Sequence, residues 1–202
     1  MRRIITFDWV TADGYFAGSD GDLDWVVPDA EQARMSANEI SNFDTILFGR
    51  RTYEIFEAFW GRVVVDDKGT VPDPHHRERR SKEHGTVATA LNSMTKLVFS
   101  KTLDRVTWKN SRLVRDFDPL EIKAMKEQPG KNLIVFGSGS IASQLTQHGL
   151  IDEYQFAVCP VVIGSGRELL TGVSRRLKLK RLAAEPLESG DVMLRYERVD
   201  GA

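Results

Sequence analysis

The chain has 202 residues, 41% hydrophobic and 28% charged, which is ordinary for a soluble globular domain and excludes disordered, collagen-like and coiled-coil architectures. Its 28 basic and 29 acidic side chains leave a net charge of −1, so no overall field gathers nucleic acid or an acidic membrane surface. No apolar run reaches the roughly 18 residues of a membrane span; the single cysteine, Cys159, closes no internal disulfide, and the first residues enter a strand pattern without a signal-peptide region. A cytoplasmic protein with one domain over residues 1–202 is expected.

Arg3 to Val10 is rich in β-branched and aromatic residues and stops at Thr11-Ala12-Asp13-Gly14, the pattern of a strand ending in a turn. Gly18-Ser19-Asp20-Gly21-Asp22 has loop chemistry. Asp29 is placed to cap a helix over Ala30 to Phe43, in which Ala33, Ala37 and Ile40 recur at helical spacing. Thr45-Ile46-Leu47-Phe48 reads as a short buried strand ending at Gly49. The helix after it carries Tyr53, Phe56 and Phe59 on one stripe, an arrangement typical of core packing.

Residues 61 to about 90 are polar and irregular at first, with Pro72, Pro74 and a mixed-charge run from Arg77 to Glu83. They read as an exposed insertion, with Val63-Val64-Val65 able to form a short strand. Lys96 to Ser100 is another strand, and Val106-Thr107-Trp108 a weaker one. Asp118-Pro119 places a capping residue before proline at the first helical position, opening a helix to about Gln128. Asn132 to Phe136 is the most apolar strand. Gly137-Ser138-Gly139-Ser140 follows it, then a helix through Ile141, Leu145 and His148 that Gly149 closes.

Beyond Asp152-Glu153 the pattern is strand-like, at Tyr154 to Val158, Val161 to Ile163, Lys178 to Leu182 and Val192 to Val199. Arg175 to Arg181 alternates leucines with bases, as a strand with one solvated face would. Strands and helices alternating, then strands alone, predict an α/β fold. Its central mixed sheet is mostly parallel, with antiparallel strands toward the carboxyl terminus and helices on both faces.

Three of these strands end in residues suited to anions. Gly49-Arg50-Arg51-Thr52 opens a helix whose free amides and dipole favour phosphate, beside two guanidinium groups and a hydroxyl. Ser100-Lys101-Thr102 presents two hydroxyls and an ammonium. Gly137 to Ser140 offers backbone without bulky side chains, and Gly139 is expected at positive φ where a phosphate approaches closely. If the strands are parallel neighbours, all three turns lie on one carboxyl edge, where open α/β sheets bind ligands, and the arrangement suits a dinucleotide. Gly137-x-Gly139-x-x-Ala142 also fits the loose Rossmann fingerprint, but the acid expected at the end of the following strand is missing, because Asp152-Glu153 comes earlier and begins that strand.

Gly49-Arg50-Arg51-Thr52-Tyr53-Glu54, Leu97-Val98-Phe99-Ser100-Lys101 and Ile134 to Ser140 resemble the cofactor segments of the dihydrofolate reductase superfamily. Asp13-Gly14, Gly21 to Trp25, Leu150 to Tyr154 and Pro160 to Gly166 are similar to the branch containing the RibD C-terminal domain, the reductase of riboflavin biosynthesis. The resemblance implies an NADPH-dependent reductase acting on a small heterocyclic, pyrimidine- or pterin-like, or carbonyl substrate, and a homodimer. It implies that Gly49, Arg50, Arg51 and Thr52 bind cofactor phosphates, and that Ser100 and Lys101 hold the 2′-phosphate. Gly137, Ser138, Gly139 and Ser140 would lie against the pyrophosphate and nicotinamide ribose. Asp13 and Gly14 would border the nicotinamide, and Trp25 would line the substrate cleft. The proton would come from solvent or from a carboxylate such as Asp13. A nucleotide-binding sensor or partner protein that has lost turnover is the alternative.

Folate enzymes carry an acid near the start of the first helix. Counting from Trp25 and Pro28, that position falls on Ala30, and Asp29 and Glu31 on either side point elsewhere on a helix. His75-His76 and His84 lack metal-ligand spacing, so no metal is expected. Cys159, between Val158 and Pro160, reads as a small core residue.

Overall fold

Apolar runs without alternation need burial on both faces, and Ile46-Leu47-Phe48 and Leu133-Ile134-Val135 obtain it at the centre of an eight-stranded sheet, each residue no more than 4% exposed. The computed structural model describes residues 1–27, 29–73, 78–174 and 176–199. In chain order the elements are β1 (Ile4–Thr11), β2 (Tyr15–Ala17), α1 (Ala30–Glu39), β3 (Phe43–Gly49), α2 (Arg50–Trp60), β4 (Val71–Pro72), β5 (Arg80–Ser81) and α3 (Lys82–Ser93). There follow β6 (Thr95–Phe99), β7 (Ser111–Val114), α4 (Pro119–Glu127), β8 (Asn132–Phe136), α5 (Gly139–Gln147), β9 (Glu153–Cys159), β10 (Arg167–Glu168), β11 (Leu179–Pro186) and β12 (Val192–Arg198).

The large sheet runs β11-β12-β9-β1-β8-β3-β6-β7. From β9 to β7 neighbouring strands are parallel, and β12 and β11 add antiparallel strands at one edge. The expected mixed sheet is therefore the one observed. Its two faces bury different helices. Ile46, Phe48, Val98 and Ile134 pack against Tyr53 and Trp60 of α2 and Ala88 and Leu91 of α3. Leu47, Leu97, Leu133 and Val135 pack against Ile122 of α4 and Ile141 and Leu145 of α5. Met35 of α1 covers Phe7, Trp9, Ala157 and Met193 further along the first face.

The caps at Asp29 and Asp118 hold: Asp29 Oδ1 accepts from the Gln32 amide at 2.8 Å and Asp118 Oδ1 from the Leu120 amide at 2.8 Å. Several expected boundaries move. The first helix ends at Glu39, a 3-10 turn spans Ile40–Asn42, and Phe43 already belongs to β3. Val106 to Trp108 forms no strand, because Trp108 turns into the core, stacks on Phe48 with centroids 6.2 Å apart and donates Nε1–H to Asn92 at 2.8 Å. Asn110 reverses the chain at φ 62°, and the strand is β7 instead. Val161 to Ile163 is a loop, since pairing of β9 stops at Cys159 before Pro160, whose nitrogen has no hydrogen to donate. β11 begins at Leu179, and as an edge strand it is solvated on both faces; Arg175 lies outside the described residues.

The segment expected as an exposed insertion is half wall. Val63 to Val65 forms no strand, although Val63 and Val65 pack against the core while Val64 is exposed. From Lys82 the chain is helical, and Ala88 and Leu91 are fully buried on the sheet. Gly85 allows this packing: a Cβ there would sit 1.9 Å from the Gly69 carbonyl oxygen. On an exposed helix Gly→Ala stabilises by up to about 1 kcal/mol. Gly85→Ala is expected instead to cost about 1–3 kcal/mol through overpacking, and to lower Tm by about 2–4 °C per kcal/mol in thermal melts.

Candidate functional site

An open cleft of about 2180 Å³ crosses the carboxyl edge of the sheet, between α1, α2, α3 and the start of α5. The parallel order β8-β3-β6 sets the three anion-suited turns side by side, as the sequence required. Gly49 to Thr52 and Gly137 to Ser140 line the cleft. Ser100 and Lys101 follow Phe99, which lines it, but stand past its edge.

Helix caps separate the α-helices into two groups. In α1, α3 and α4 a side chain, from Asp29, Ser81 or Asp118, accepts a hydrogen bond from a first-turn amide. In α2 and α5, whose caps are Gly49 and Ser138, no side chain caps the helix. These two α-helices begin at the cleft, and their first-turn amides, without a side-chain acceptor, are of the kind that suits an anion. Arg50 and Arg51 are exposed on the first turn of α2. Arg50 Nε donates to Glu54 at 2.9 Å and Nη1 to Thr102 Oγ1 at 3.0 Å, which draws the turn after β6 toward the one after β3.

The two uncapped turns are joined by one hydroxyl. Ser138 Oγ accepts from the Gly49 amide at 2.8 Å and lies 2.7 Å from Thr52 Oγ1. To reach there, Ser138 adopts φ 60° and Gly137 φ 54°. Positive φ thus falls on Gly137 and Ser138, and Gly139 is constrained by space: a Cβ on Gly139 would lie 3.0 Å from both the Leu169 carbonyl oxygen and the Phe16 ring. A Cβ on Gly49 would lie 2.7 Å from Ser138 Oγ. The residues present fit an extended phosphate-bearing ligand, with amides exposed and side chains withheld.

Ser100 works inside its own turn. Its Oγ accepts from the Thr102 and Leu103 amides at 3.2 and 3.0 Å. Lys101 is 79% exposed and pairs with Asp116 at 3.2 Å.

The structure does not bring Asp13, Gly14 and Trp25 into the cleft. Asp13 receives the Gly164 amide at 2.8 Å and the Ile163 amide at 3.4 Å, and so ties the loop after β9 to the turn after β1. The Thr11 hydroxyl, then those amides, hold its carboxyl below the usual range, so it stays ionised and makes a poor proton donor at neutral pH. Gly14 closes the same turn at φ 92°. Trp25 is half-buried outside the cleft lining. Ala30, the position counted in the sequence for a folate enzyme's acid, does line it.

Several cleft residues carried no recognisable motif. Gln155 Nε2 donates to Glu153 at 2.9 Å, and the same carboxylate receives Arg195 Nε and Nη2 at 3.0 and 2.9 Å. Arg195 Nη1 reaches Glu39 of α1 at 2.7 Å; burial opposes the guanidinium charge, and the two carboxylates outweigh it. Gln32 is buried beside them with Nε2 unpartnered among the described residues. The cleft lining also includes Arg79, Arg80, Lys82 and His84, from the segment expected to be an insertion, whose helix α3 packs beside α1.

Asp8 of β1 is the other residue the sequence reading missed. It is 2% exposed, its Oδ2 accepts from Thr6 Oγ1 at 2.5 Å, and its Oδ1 is buried without a hydrogen-bond partner among the described residues. Burial pushes its carboxyl up to about 7, against the lowering effects of Thr6 and the Gly137 backbone. The available signal was an acid inside an apolar strand that lies between two parallel neighbours. Cys159, also buried, has its thiol pushed up to about 12 by burial, consistent with a core role. Among the described residues no group of histidine, cysteine or carboxylate side chains could hold a metal ion; His75 and His76 lie outside them. No described helix is long and apolar enough to cross a membrane.

This fold, with uncapped helix starts along one parallel edge, is that of the dihydrofolate-reductase-like proteins. A structure of dihydrofolate reductase from Enterococcus faecalis, complexed with NADP(H), shares it at a TM-score of 0.60 and 14% identity over 98% of this chain and 97% of that one. Residues 2–192 match the RibD C-terminal domain family, and the chain belongs to it. It is 29% identical to the Bacillus subtilis (strain 168) protein YyaP over 97% of this chain and 95% of that protein. A Shewanella sp. PV-4 protein named as a candidate for riboflavin biosynthesis is similar at a TM-score of 0.71 and 22% identity, covering 98% and 99% of the two chains.

Asp8 makes stability depend on pH. Its carboxyl binds a proton more tightly in the folded chain than at its ordinary 3.8, so folding gains stability as pH falls from about 7 toward 4 and bears the full cost of a buried charge above 7. Asp8→Asn is expected to melt above wild type at pH 8, with the gap closing toward pH 4. Calorimetric melts across that range check it.

Proposed function

We propose that the protein is an NADPH-dependent reductase acting on a small heterocycle. The observation that carries this reading is that the two α-helices without side-chain caps both open on one cleft, with Arg50 and Arg51 beside them. Membership of the RibD C-terminal domain family supports it.

NADPH, when bound, supplies a hydride. The chain's part is to bind, orient and exclude water. The first-turn amides of α2 and α5 would take the pyrophosphate, and Arg50, Arg51 and Lys101 the further phosphate charge. Phe7, Trp9, Met35 and Met193 give the acceptor end apolar walls. Gln32 and Gln155 are neutral groups able to hydrogen-bond a heterocycle. Because Asp13 is ionised at neutral pH and Ala30 carries no acid, solvent is the proton source in this reading.

Two measurements test it. Titration calorimetry is expected to show NADPH binding more tightly than NADH. A hydrogen bond to a charged group is worth about 1.5–3 kcal/mol, less at an exposed site, so Lys101→Ala weakens NADPH by about tenfold at low salt and leaves NADH nearly unchanged. Equal losses for both cofactors remove Lys101 from the 2′-phosphate.

The acceptor follows from Ala30. Positioned acid catalysis contributes about 10²–10⁴ in rate, so dihydrofolate is expected to turn over slowly or not at all, and a ribose-bearing pyrimidine or simple pterin faster. NADPH oxidation, followed by absorbance against a panel of such acceptors, decides it. Rapid dihydrofolate reduction overturns the reading of Ala30, and tight NADPH binding with no oxidation by any acceptor leaves the non-catalytic alternative.

A further inference from the structure

We infer that Asp8 is a positioning residue for the dinucleotide, held neutral when the cleft is loaded, so that binding takes up a proton at this carboxyl. The inference rests on the reading of the cleft as a dinucleotide site. Asp8 lines that cleft, and it belongs to neither the uncapped helix starts nor the acceptor walls.

The register fixes its place. β1 and β8 run parallel with Phe7 opposite Phe136, so Asp8 comes level with Gly137, the first residue of the turn that Ser138 holds against Gly49. One carboxyl oxygen is engaged by Thr6, the other has no hydrogen-bond partner among the described residues beyond the influence of the nearby Gly137 backbone, and the residue is 2% exposed. An ionised Asp8 is therefore a nearly unsolvated negative charge beside the turn whose amides receive phosphate, and the two anions repel through a poorly screened interior. A neutral Asp8 removes that repulsion.

Among the described residues no cation pairs with it. On its face of the sheet, β8 offers Leu133, Val135 and Gly137, and β9 offers Tyr154, whose hydroxyl bonds Thr146 at 3.1 Å. α5 has no ionisable side chain, and His148 beyond it packs on Phe117. β2, packed beside β1, adds Tyr15, and β10, paired with β2, adds Glu168 and Arg167, whose guanidinium is turned to the Ser19 carbonyl at 3.0 and 3.2 Å. Arg50 and Arg51, on the first turn of α2, are exposed, and Arg50 is turned to Glu54 and Thr102. Burial, with its carboxyl up to about 7, leaves Asp8 able to change state near neutral pH.

The test is calorimetry of NADPH binding to wild type and Asp8→Asn between pH 7 and 9, in two buffers of different ionisation heat. The cofactor's 2′-phosphate titrates near pH 6 and is ionised throughout in both proteins. Wild type is expected to lose affinity by up to about tenfold per pH unit, taking up as much as one proton per NADPH bound at pH 8. Asp8→Asn should bind with affinity flat across the window and no proton uptake. The same slope in both proteins overturns the inference and leaves the dinucleotide reading standing; no NADPH binding at any pH overturns both. If Asp8→Asn does not melt cooperatively, the carbon-13 carboxyl resonance of Asp8 is followed in wild type. A midpoint that rises on adding NADPH supports the inference, and an unmoved midpoint overturns it.

Discussion

The hydroxyl of Ser138 joins the two halves of the site. By accepting the Gly49 amide and bonding Thr52 Oγ1, it fastens the turn after β8 to the turn after β3. Each such hydrogen bond is worth about 1 kcal/mol, and a left-handed serine costs a similar amount, so the tie adds little net stability. Its effect is geometric. It fixes the starts of α2 and α5 side by side and keeps Gly49 and Gly137 free of side chains where a Cβ would collide or be strained. Beneath it, Phe56 stacks on Phe136 with centroids 5.3 Å apart and packs on Phe48 at 5.1 Å, a rigid floor under both turns.

Charge is distributed unevenly along the cleft. Where the helices start, the first turns carry bare amides and no acidic residue, and Arg50 and Arg51 are exposed, Arg50 sharing its charge with Glu54. Under α1 the guanidinium of Arg195 is already shared between Glu39 and Glu153, so it gives shape and hydrogen-bond direction with no free positive charge. An anionic ligand is favoured at one end and a neutral ring at the other. Asp8 lies on the first side of that division, where a buried acid is least compatible with a bound phosphate.

Much of the scaffold was legible in the sequence because it depends on local chemistry. The caps at Asp29 and Asp118, the buried runs at Ile46 to Phe48 and Leu133 to Val135, and the turns after them follow from side-chain length, backbone freedom and hydrophobic periodicity. The parallel direction of the strands followed from their alternation with helices, while the adjacency of the three turns was only a condition that the order β8-β3-β6 met. The misjudged elements were those where a distant contact outweighed local pattern: Trp108 gave up a strand to fill the core, and the helix after Ser81 is buried only because Gly85 lets it meet the Gly69 segment.

The sequence by itself determined the fold and the family, and it marked turns whose residues suit an anion, because these are written in contiguous segments. Which residues share a cleft was decided only by the tertiary structure. Asp13 and Trp25 stood in recognisable motifs but fold away from it, one into loop amides and the other outside the lining. Asp8, Gln155 and Arg195 stood in no motif and line it. An ionisable side chain takes its character from what surrounds it in space: the same carboxyl is held low by amides at Asp13 and raised by burial at Asp8. Those surroundings come from strands and helices far apart in the chain.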